Sequence, residues 1–419
     1  MAPELATAAA APALDVEAIA AQFPILSREW GGHPLCYLDS AATAQKPQVV
    51  LDALIGALAE HNANIHRGVY PLAQESTEAF EGARRRIARS INAADEEVVF
   101  TKNVTEAINL VAYSWGRSNV GPGDRVLITE MEHHSDIVPW QILCRERDAE
   151  LRYVPVTPDG RLDEDALDRE LAQSPKLVGV VHVSNTLGTI NRVEEVVARA
   201  HRMGARVLVD GAQAAPHFRL DMKAIGADFY GFTGHKVYGP TGIGVLYAKR
   251  ELLEEMPPFL VGGDMISRVD FQESTWNQLP WKFEAGTTPF TEAVGLAAAF
   301  DWLEGLGIEA IGAHEADVVS YAIERLSEVP GLRIFGPQSQ PRGAAVSFVI
   351  DGVHPHDVAE ILGRDGVCIR AGHHCTQPLM RRLGVPATSR ASFGAYNSRA
   401  DVDRLVDGLG EVRRVFGLA

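Results

Sequence analysis

The stretch IRAGHHCTQPLM (369–380) sets a cysteine in a polar, glycine-hinged turn. His373 and His374 stand directly before Cys375, and Arg370 lies five residues back. Cationic neighbours favour the thiolate, the nucleophilic form of cysteine. The residues alone leave three readings open: a reactive thiol, a metal ligand, and a thiol in a solvated loop. Cys368, in the apolar run just before, reads as a structural cysteine.

A second constellation lies upstream. GFTGHKVYGPTGIGVLY (231–247) places Lys236 in a glycine-rich turn between two strand-like runs, beside Thr233 and His235. A lysine there is either a surface charge or an amine placed to form a Schiff base with a carbonyl compound. The glycines would let the backbone approach something bound. In VLVDGAQAAPH (207–217), Asp210 ends an apolar run 26 residues before Lys236 and is followed by Gln213. Asp210 reads either as a helix cap or as the carboxylate that keeps a pyridoxal ring nitrogen protonated. FTKNVTEAINL (100–110) has the form of a strand ending at Thr101 and a helix starting near Thr105, whose free amides suit a phosphate. In TEMEHHSDIVPW (129–140), His133 follows a strand and either stacks on a flat ring or is solvated.

These residues need a scaffold. Apolar runs at 96–101, 124–129, 151–156, 176–183, 205–210, 227–232 and 242–248 alternate with helical patterns, which predicts a mostly parallel α/β sheet. Thr101, Thr129, Asp210 and Thr233 fall at strand ends, where open α/β sheets bind ligands. The helix after Thr101 presents Ile108, Val111, Ala112 and Trp115 on one face. Beyond residue 290 the texture becomes α+β, with a boundary near 300–310 and a smaller second domain. Residues 261–290 lack periodicity and read as a functional loop or an interface.

Composition narrows the class. The 419 residues are 46% hydrophobic and carry a net charge of −16. No basic run exceeds the arginines at 84–86, which argues against a nucleic-acid or anionic-membrane surface. Cys36, Cys144, Cys368 and Cys375 form no CxxC pair, as expected in a reducing cytoplasm. The alanine-rich start lacks a positive n-region and contains proline, Glu4, Asp15 and Glu17. It reads as a tail followed by a short helix from about Asp15, rather than as a signal peptide.

Together YLDSAAT, NIHRGVY, TKNVTEAINLVA, MEHHSDIVPWQ, VSNTLGT, VDGAQAAPH, FTGHKVYGPTGIG, FEAGT, RAGHHCTQPLM and RASFGAYN resemble the SufS-type, group II cysteine desulfurases. These are pyridoxal 5'-phosphate enzymes of the class V aminotransferase family with fold type I. The resemblance runs from about residue 20 to the C-terminus. It implies a flexible tail (1–15), a segment packing with the small domain (16–38), a large cofactor-binding domain (39–304) and a small domain carrying the Cys375 loop (305–419).

By the same resemblance, Lys236 would hold the cofactor and take the substrate Cα proton, and Cys375 would accept sulfur as a persulfide. Asp210 would face the ring nitrogen, Gln213 the ring hydroxyl, and His133 would stack on the ring. Val104, Thr105, Thr233 and His235 would surround the phosphate, with Thr287 reaching in from the second subunit of a homodimer. Arg390 would clamp the substrate carboxylate, Asn185 would lie beside ring and substrate, and Arg370, His66 and Arg67 would line the pocket. Thr233 stands where serine is commoner, and AGTTPF replaces AGTP, which leaves open which of residues 286–288 reaches across.

The implied activity is L-cysteine to L-alanine, with sulfur passed on for iron–sulfur cluster assembly in the cytoplasm and no resident metal. A selenocysteine lyase on the same scaffold is the alternative. A zinc site of His133, His134, His373, His374 and Cys375 is a rival of another class. In DGVHPHDVAE (351–360), His354 reads as part of a helix start. His356 resembles the zinc-capturing histidine of desulfurases that serve a SufU-like zinc acceptor rather than a SufE-like one.

Overall fold

The computed structural model describes residues 14–418 of the chain. The tail expected over residues 1–15 lies, as far as residue 13, outside the described residues. Seven strands build the main sheet: β1 (Val98–Thr101), β2 (Arg125–Thr129), β3 (Glu150–Val154), β4 (Leu177–Val181), β5 (Arg206–Asp210), β6 (Phe229–Thr233) and β7 (Gly244–Ala248). Each falls inside or beside an expected run. The first starts two residues late because Asp95–Glu97 form a 3-10 turn, in which the Glu97 carboxylate accepts the Ala94 N–H at 2.9 Å.

The strand order is β1-β7-β6-β5-β4-β2-β3, with β2 to β6 parallel and β7 antiparallel to both of its neighbours. β4 and β6 are buried along their whole length, as expected for strands covered on both faces. Because β7 runs against the rest, β1 points the same way as β5 and β6. Thr101 and Thr233 therefore flank Gly244, and Asp210 pairs with Gly231, on one edge of the sheet.

The helices that matter to the site are α1 (Val16–Ala20), α2 (Gln48–Glu60), α3 (Pro71–Ser90), α4 (Val104–Val111), α5 (Phe290–Leu306), α6 (Ile308–Ser327), α7 (Pro355–Arg364), α8 (Gln377–Leu383) and α9 (Arg399–Val415). α4 starts at Val104 because Asn103 caps it, its Oδ1 accepting the Glu106 N–H at 3.0 Å. A π-turn, Ala112–Gly116, continues the helix, so Ile108, Val111, Ala112 and Trp115 are all buried. α5 packs on α2 and α3, and Gly307 (φ +87°) breaks the chain before α6.

A second sheet is antiparallel, in the order β8 (Leu332–Phe335), β9 (Ala345–Ile350), β11 (Thr388–Ser392), β10 (Arg370–Gly372). α6, α7 and α9 close a separate apolar core over it. Segment 16–38 is divided between the two cores. Ile19 and Phe23 join the core of the main sheet, Phe23 lying edge-on to Trp302 at 5.4 Å. Only Cys36–Tyr37 pair with Val367–Cys368 beside the second sheet. The segment expected to pack with the small domain thus touches both cores. The buried aromatic Phe23 packs against Trp302 of α5 and, at 4.8 Å, against Tyr396 near the C-terminus. Segment 261–290 also holds a two-stranded ribbon, Ile266–Val269 with Ser274–Trp276, which exposed side chains hid from periodicity.

One buried ion pair ties this ribbon's continuation to the sheet. Arg84 of α3 holds Glu284 through two parallel hydrogen bonds of 2.7 and 2.8 Å, and also donates to the Val98 carbonyl at 2.9 Å. Glu284 in turn accepts the Phe100 N–H at 2.7 Å. Truncating one partner strands a buried charge. Glu284→Ala should cost about 3–5 kcal/mol, read as a lowered unfolding midpoint, while the paired change Arg84→Met with Glu284→Leu should recover much of the loss. An unchanged midpoint for Glu284→Ala would contradict this account.

Candidate active site

Lys236 ends a single turn, Gly234–Lys236, that follows β6 directly. Burial pushes its ammonium down to about 8; nearby Asp210 and Cys375 act against the shift, and Arg390 and Arg370 act with it. Those four neighbours come from three separate parts of the sequence. Their convergence removes the reading of Lys236 as a surface charge. Two of the glycines around it have a packing role. A Cβ on Gly231 would lie 2.9 Å from Val104 Cγ2, and one on Gly244 would lie 2.6 Å from Asn103 Cα. The absent side chains admit the start of α4 to the sheet edge.

Asp210 is buried at the end of β5 and accepts the Ala212 N–H at 2.9 Å. No helix follows directly, only turns, so Asp210 is not a helix cap. Burial raises its carboxyl above the usual range, opposed by the Ala212 N–H and by Lys236. Gln213 donates to the Ala41 carbonyl at 2.7 Å. His133 Nδ1 accepts the Ser135 N–H at 3.1 Å, which assigns the ring proton to Nε2. Burial, reinforced by Lys236, pushes that imidazole down to about 3, so it is neutral. Ser135 Oγ meets Thr105 Oγ1 at 2.6 Å and so joins the His133 turn to the first turn of α4. His235 is also neutral, pushed down to about 4 by burial.

Cys375 and His374 both adopt left-handed backbone, φ +59° and +50°. The loop is fastened to the main sheet's side at several points. His134 N–H donates to the Cys375 carbonyl (2.7 Å), Asn185 Nδ2 to the His374 carbonyl (2.6 Å), and the Gln377 N–H to His134 Nε2 (2.9 Å). Thr376 Oγ1 meets Thr186 Oγ1 at 2.9 Å. These bonds hold the glycine-hinged loop closed against the main sheet's side. The charge beside the thiol differs from expectation. His374 turns inward to Thr388 and burial pushes it down to about 2, so it carries no charge. Among the described residues Arg370 alone hydrogen-bonds to the sulfur, Nη2 lying 3.7 Å from Sγ.

Arg390 of β11 is fully buried. It donates through Nη1 to the Asn185 carbonyl (2.9 Å) and through Nη2 to Asp39 Oδ1 (3.0 Å), while Nε has no partner. Asp39 is the residue that sequence reasoning passed over, although the motif YLDSAAT contains it. Burial raises its carboxyl, and Arg390, Arg370 and Lys236 all oppose that, which places it among the site's cations.

Three expected residues lie elsewhere in the chain. His66 pairs with Glu81 at 2.8 Å and Arg67 with Asp264 at 2.7 Å, lining a cavity of about 400 Å³ with Trp281 and Thr288. Thr287 is exposed and faces Lys102 and Glu106 in a separate cleft. The five residues of the zinc reading do not converge. His134 Nε2 and His374 Nε2 are engaged by Gln377 and Thr388, and among the described residues no three His, Cys, Asp or Glu side chains gather as a metal site. His356 is exposed at the start of α7, its ring 5.0 Å from that of His354, and His354 caps the helix by accepting the His356 N–H at 3.3 Å.

The sequence model of the class-V aminotransferases matches residues 36–405. A cysteine desulfurase of Haloferax volcanii is 50% identical over 417 residues, covering 96% of this chain and 98% of that protein. A probable cysteine desulfurase of Streptomyces coelicolor is 52% identical over 411 residues, covering 96% and 98%. Among solved structures, the cysteine desulfurase CsdA of Escherichia coli superposes with a TM-score of 0.89 at 37% identity, covering 96% of this chain and 99% of the other. The apo cysteine desulfurase of Thermococcus onnurineus gives 0.91 at 38%, covering 95% and 98%. The chain belongs to the class-V aminotransferase family, and within it to the cysteine desulfurases.

Its cofactor is pyridoxal phosphate, and the residues present fit that group. Thr233 Oγ1 and Asn185 Oδ1 are buried polar atoms without a partner. The register sets Thr233 beside Gly244, which touches Asn103 at the free-amide end of α4. A buried carboxylate (Asp210), a neutral imidazole (His133) and a lysine of low pKa complete the set. The sign of one coupling is testable in cofactor-free protein. Asp210 stabilises the Lys236 ammonium, so Asp210→Asn should lower that lysine's pKa further below about 8. Competitive acylation across a pH series should show Lys236 reacting at lower pH in the variant; an upward shift would refute the coupling.

Proposed function

We propose that the chain removes sulfur from L-cysteine, leaving L-alanine and a persulfide on Cys375. The observation that carries this reading is the meeting of thiol, amine and guanidinium around Lys236. Pyridoxal phosphate, when bound, supplies an electron sink that makes the substrate Cα–H acidic and labilises the carbon–sulfur bond. Arg390 orients the substrate by its carboxylate, exchanging its present bonds to Asp39 and the Asn185 carbonyl for that group. Lys236, a free base for much of the time near pH 8, takes the Cα proton. Cys375 Sγ, beside the Arg370 guanidinium, attacks the substrate sulfur. The balance closes: cysteine and one thiol give alanine and one –S–SH, the sulfur passing as a neutral atom.

The finer assignment is to the SufS-type group that feeds iron–sulfur cluster assembly. Four free cysteines accord with a reducing cytoplasm, and among the described residues no helix is long and apolar enough to cross a membrane. The enzyme works as a homodimer. Exposed Val261, Val269, Phe271 and Trp276 on and beside the ribbon support this, as do the positions of His66, Arg67 and Thr287 away from their own chain's Lys236. The acceptor is a SufU-like zinc protein, its metal captured by the exposed imidazole of His356.

Borohydride reduction and peptide mapping should place a pyridoxyl group on Lys236; an adduct at Lys223 or Lys249 would sink the assignment. Cys375→Ser should keep the yellow absorbance of bound cofactor and lose both persulfide and alanine production. Full alanine production in that variant would make Cys375 a bystander. His356→Ala should keep basal turnover and lose stimulation by the zinc acceptor, and undiminished stimulation would exclude the partner.

A further inference from the structure

Glu315, on α6, is buried at 3% exposure and belongs to none of the groups described above. Its Oε2 lies 2.6 Å from His217 Nδ1, and its Oε1 accepts a longer hydrogen bond, 3.5 Å, from the Tyr238 hydroxyl. The two donors have one thing in common. His217 closes the turn that leaves β5 with Asp210 and Gln213, and Tyr238 stands two residues beyond Lys236.

The Tyr238 hydroxyl also accepts the Ala395 N–H at 2.9 Å, so its own proton is free for Glu315. Ala395 lies five residues after Arg390. One carboxylate thus faces the Asp210 turn and the Lys236 turn, and through Tyr238 the exit of the Arg390 strand. Backbone geometry agrees. Tyr238 holds φ +58°, a conformation a bulky residue adopts only where its surroundings impose it. A Cβ on Gly312, one turn earlier on α6, would lie 3.0 Å from the His217 carbonyl, so the helix presses directly on that turn.

We propose that Glu315 is a positioning residue that fixes the separation of Asp210 and Lys236, the two groups the cofactor must engage at once. The inference rests on the reading of those two residues given above. A carboxylate satisfies two donors together; a carboxamide offers one oxygen acceptor and one N–H₂ donor, so it keeps both ties only if the His217 ring proton moves from Nδ1 to Nε2, and the network is reset in either case. Glu315→Gln should lower kcat about tenfold with KM for cysteine little changed, as expected when reacting groups are misplaced and substrate contacts are intact. It should also move the visible absorbance maximum of bound pyridoxal phosphate and speed cofactor loss on dialysis. Tyr238→Phe, which removes one tie with less change in polarity, should shift the same signals, and it carries the test if Glu315→Gln fails to fold. The double variant should be no worse than the poorer single one, because both break one network. A Glu315→Gln or Tyr238→Phe protein with wild-type absorbance, cofactor retention and kcat, even at a lowered melting temperature, would make the contact purely structural and overturn the proposal. Failure of wild-type protein to yield the Lys236 adduct would instead overturn the underlying reading.

Discussion

The site is organised by a buried anion. Asp210 ends a central strand inside the protein with one backbone N–H for company. A carboxylate in such surroundings keeps its charge only if cationic groups are brought near it. The fold answers by running the neighbouring strand β6 in the same direction and turning it sharply, which returns Lys236 to the same sheet edge. The lysine is itself desolvated there, so each group offsets part of the other's cost. Arg390, Arg370 and Asp39 extend the arrangement into an alternating cluster of charge contributed by both sheets.

Parallel strands explain why the cluster draws on such distant residues. Each crossover returns the chain to the same end of the sheet, so Thr129, Asp210 and Thr233, far apart in sequence, end as neighbours. The second sheet adds what the first cannot supply, a guanidinium and a thiol. Arg390 stands on β11 and Cys375 in the loop that leaves β10; the two strands pair, so Arg390 and Arg370 lie directly opposite. Two like charges at such a spacing need counter-charge, and Asp39 provides it from the N-terminal segment.

Strand positions and the start of α4 near Thr105 were legible in the sequence, because an apolar run of strand length followed by a helical pattern is a local signal. The alternatives at Asp210 and Lys236 were not separable locally, since a helix cap and a buried counter-ion are both written as an aspartate after an apolar run. The resemblance chose between them, and the geometry gives the reason. Residues whose roles are set by a distant partner stayed hidden. Asp39 is identifiable only beside Arg390, 351 positions later, and the inward rotation of His374 depends on Thr388. The exposed ribbon within 261–290 carries no burial pattern, and periodicity arguments need one.

The pairing of Cys36–Tyr37 with Val367–Cys368 has a consequence for biosynthesis. Asp39 likewise bridges to Ser392, so an early segment of the chain is completed by one close to its end. Contacts of such separation close slowly and only after both ends exist. On the ribosome, the main sheet can assemble as its strands emerge, while Arg390 and Cys375 have yet to be made. The two halves of the site therefore meet only when synthesis is essentially finished.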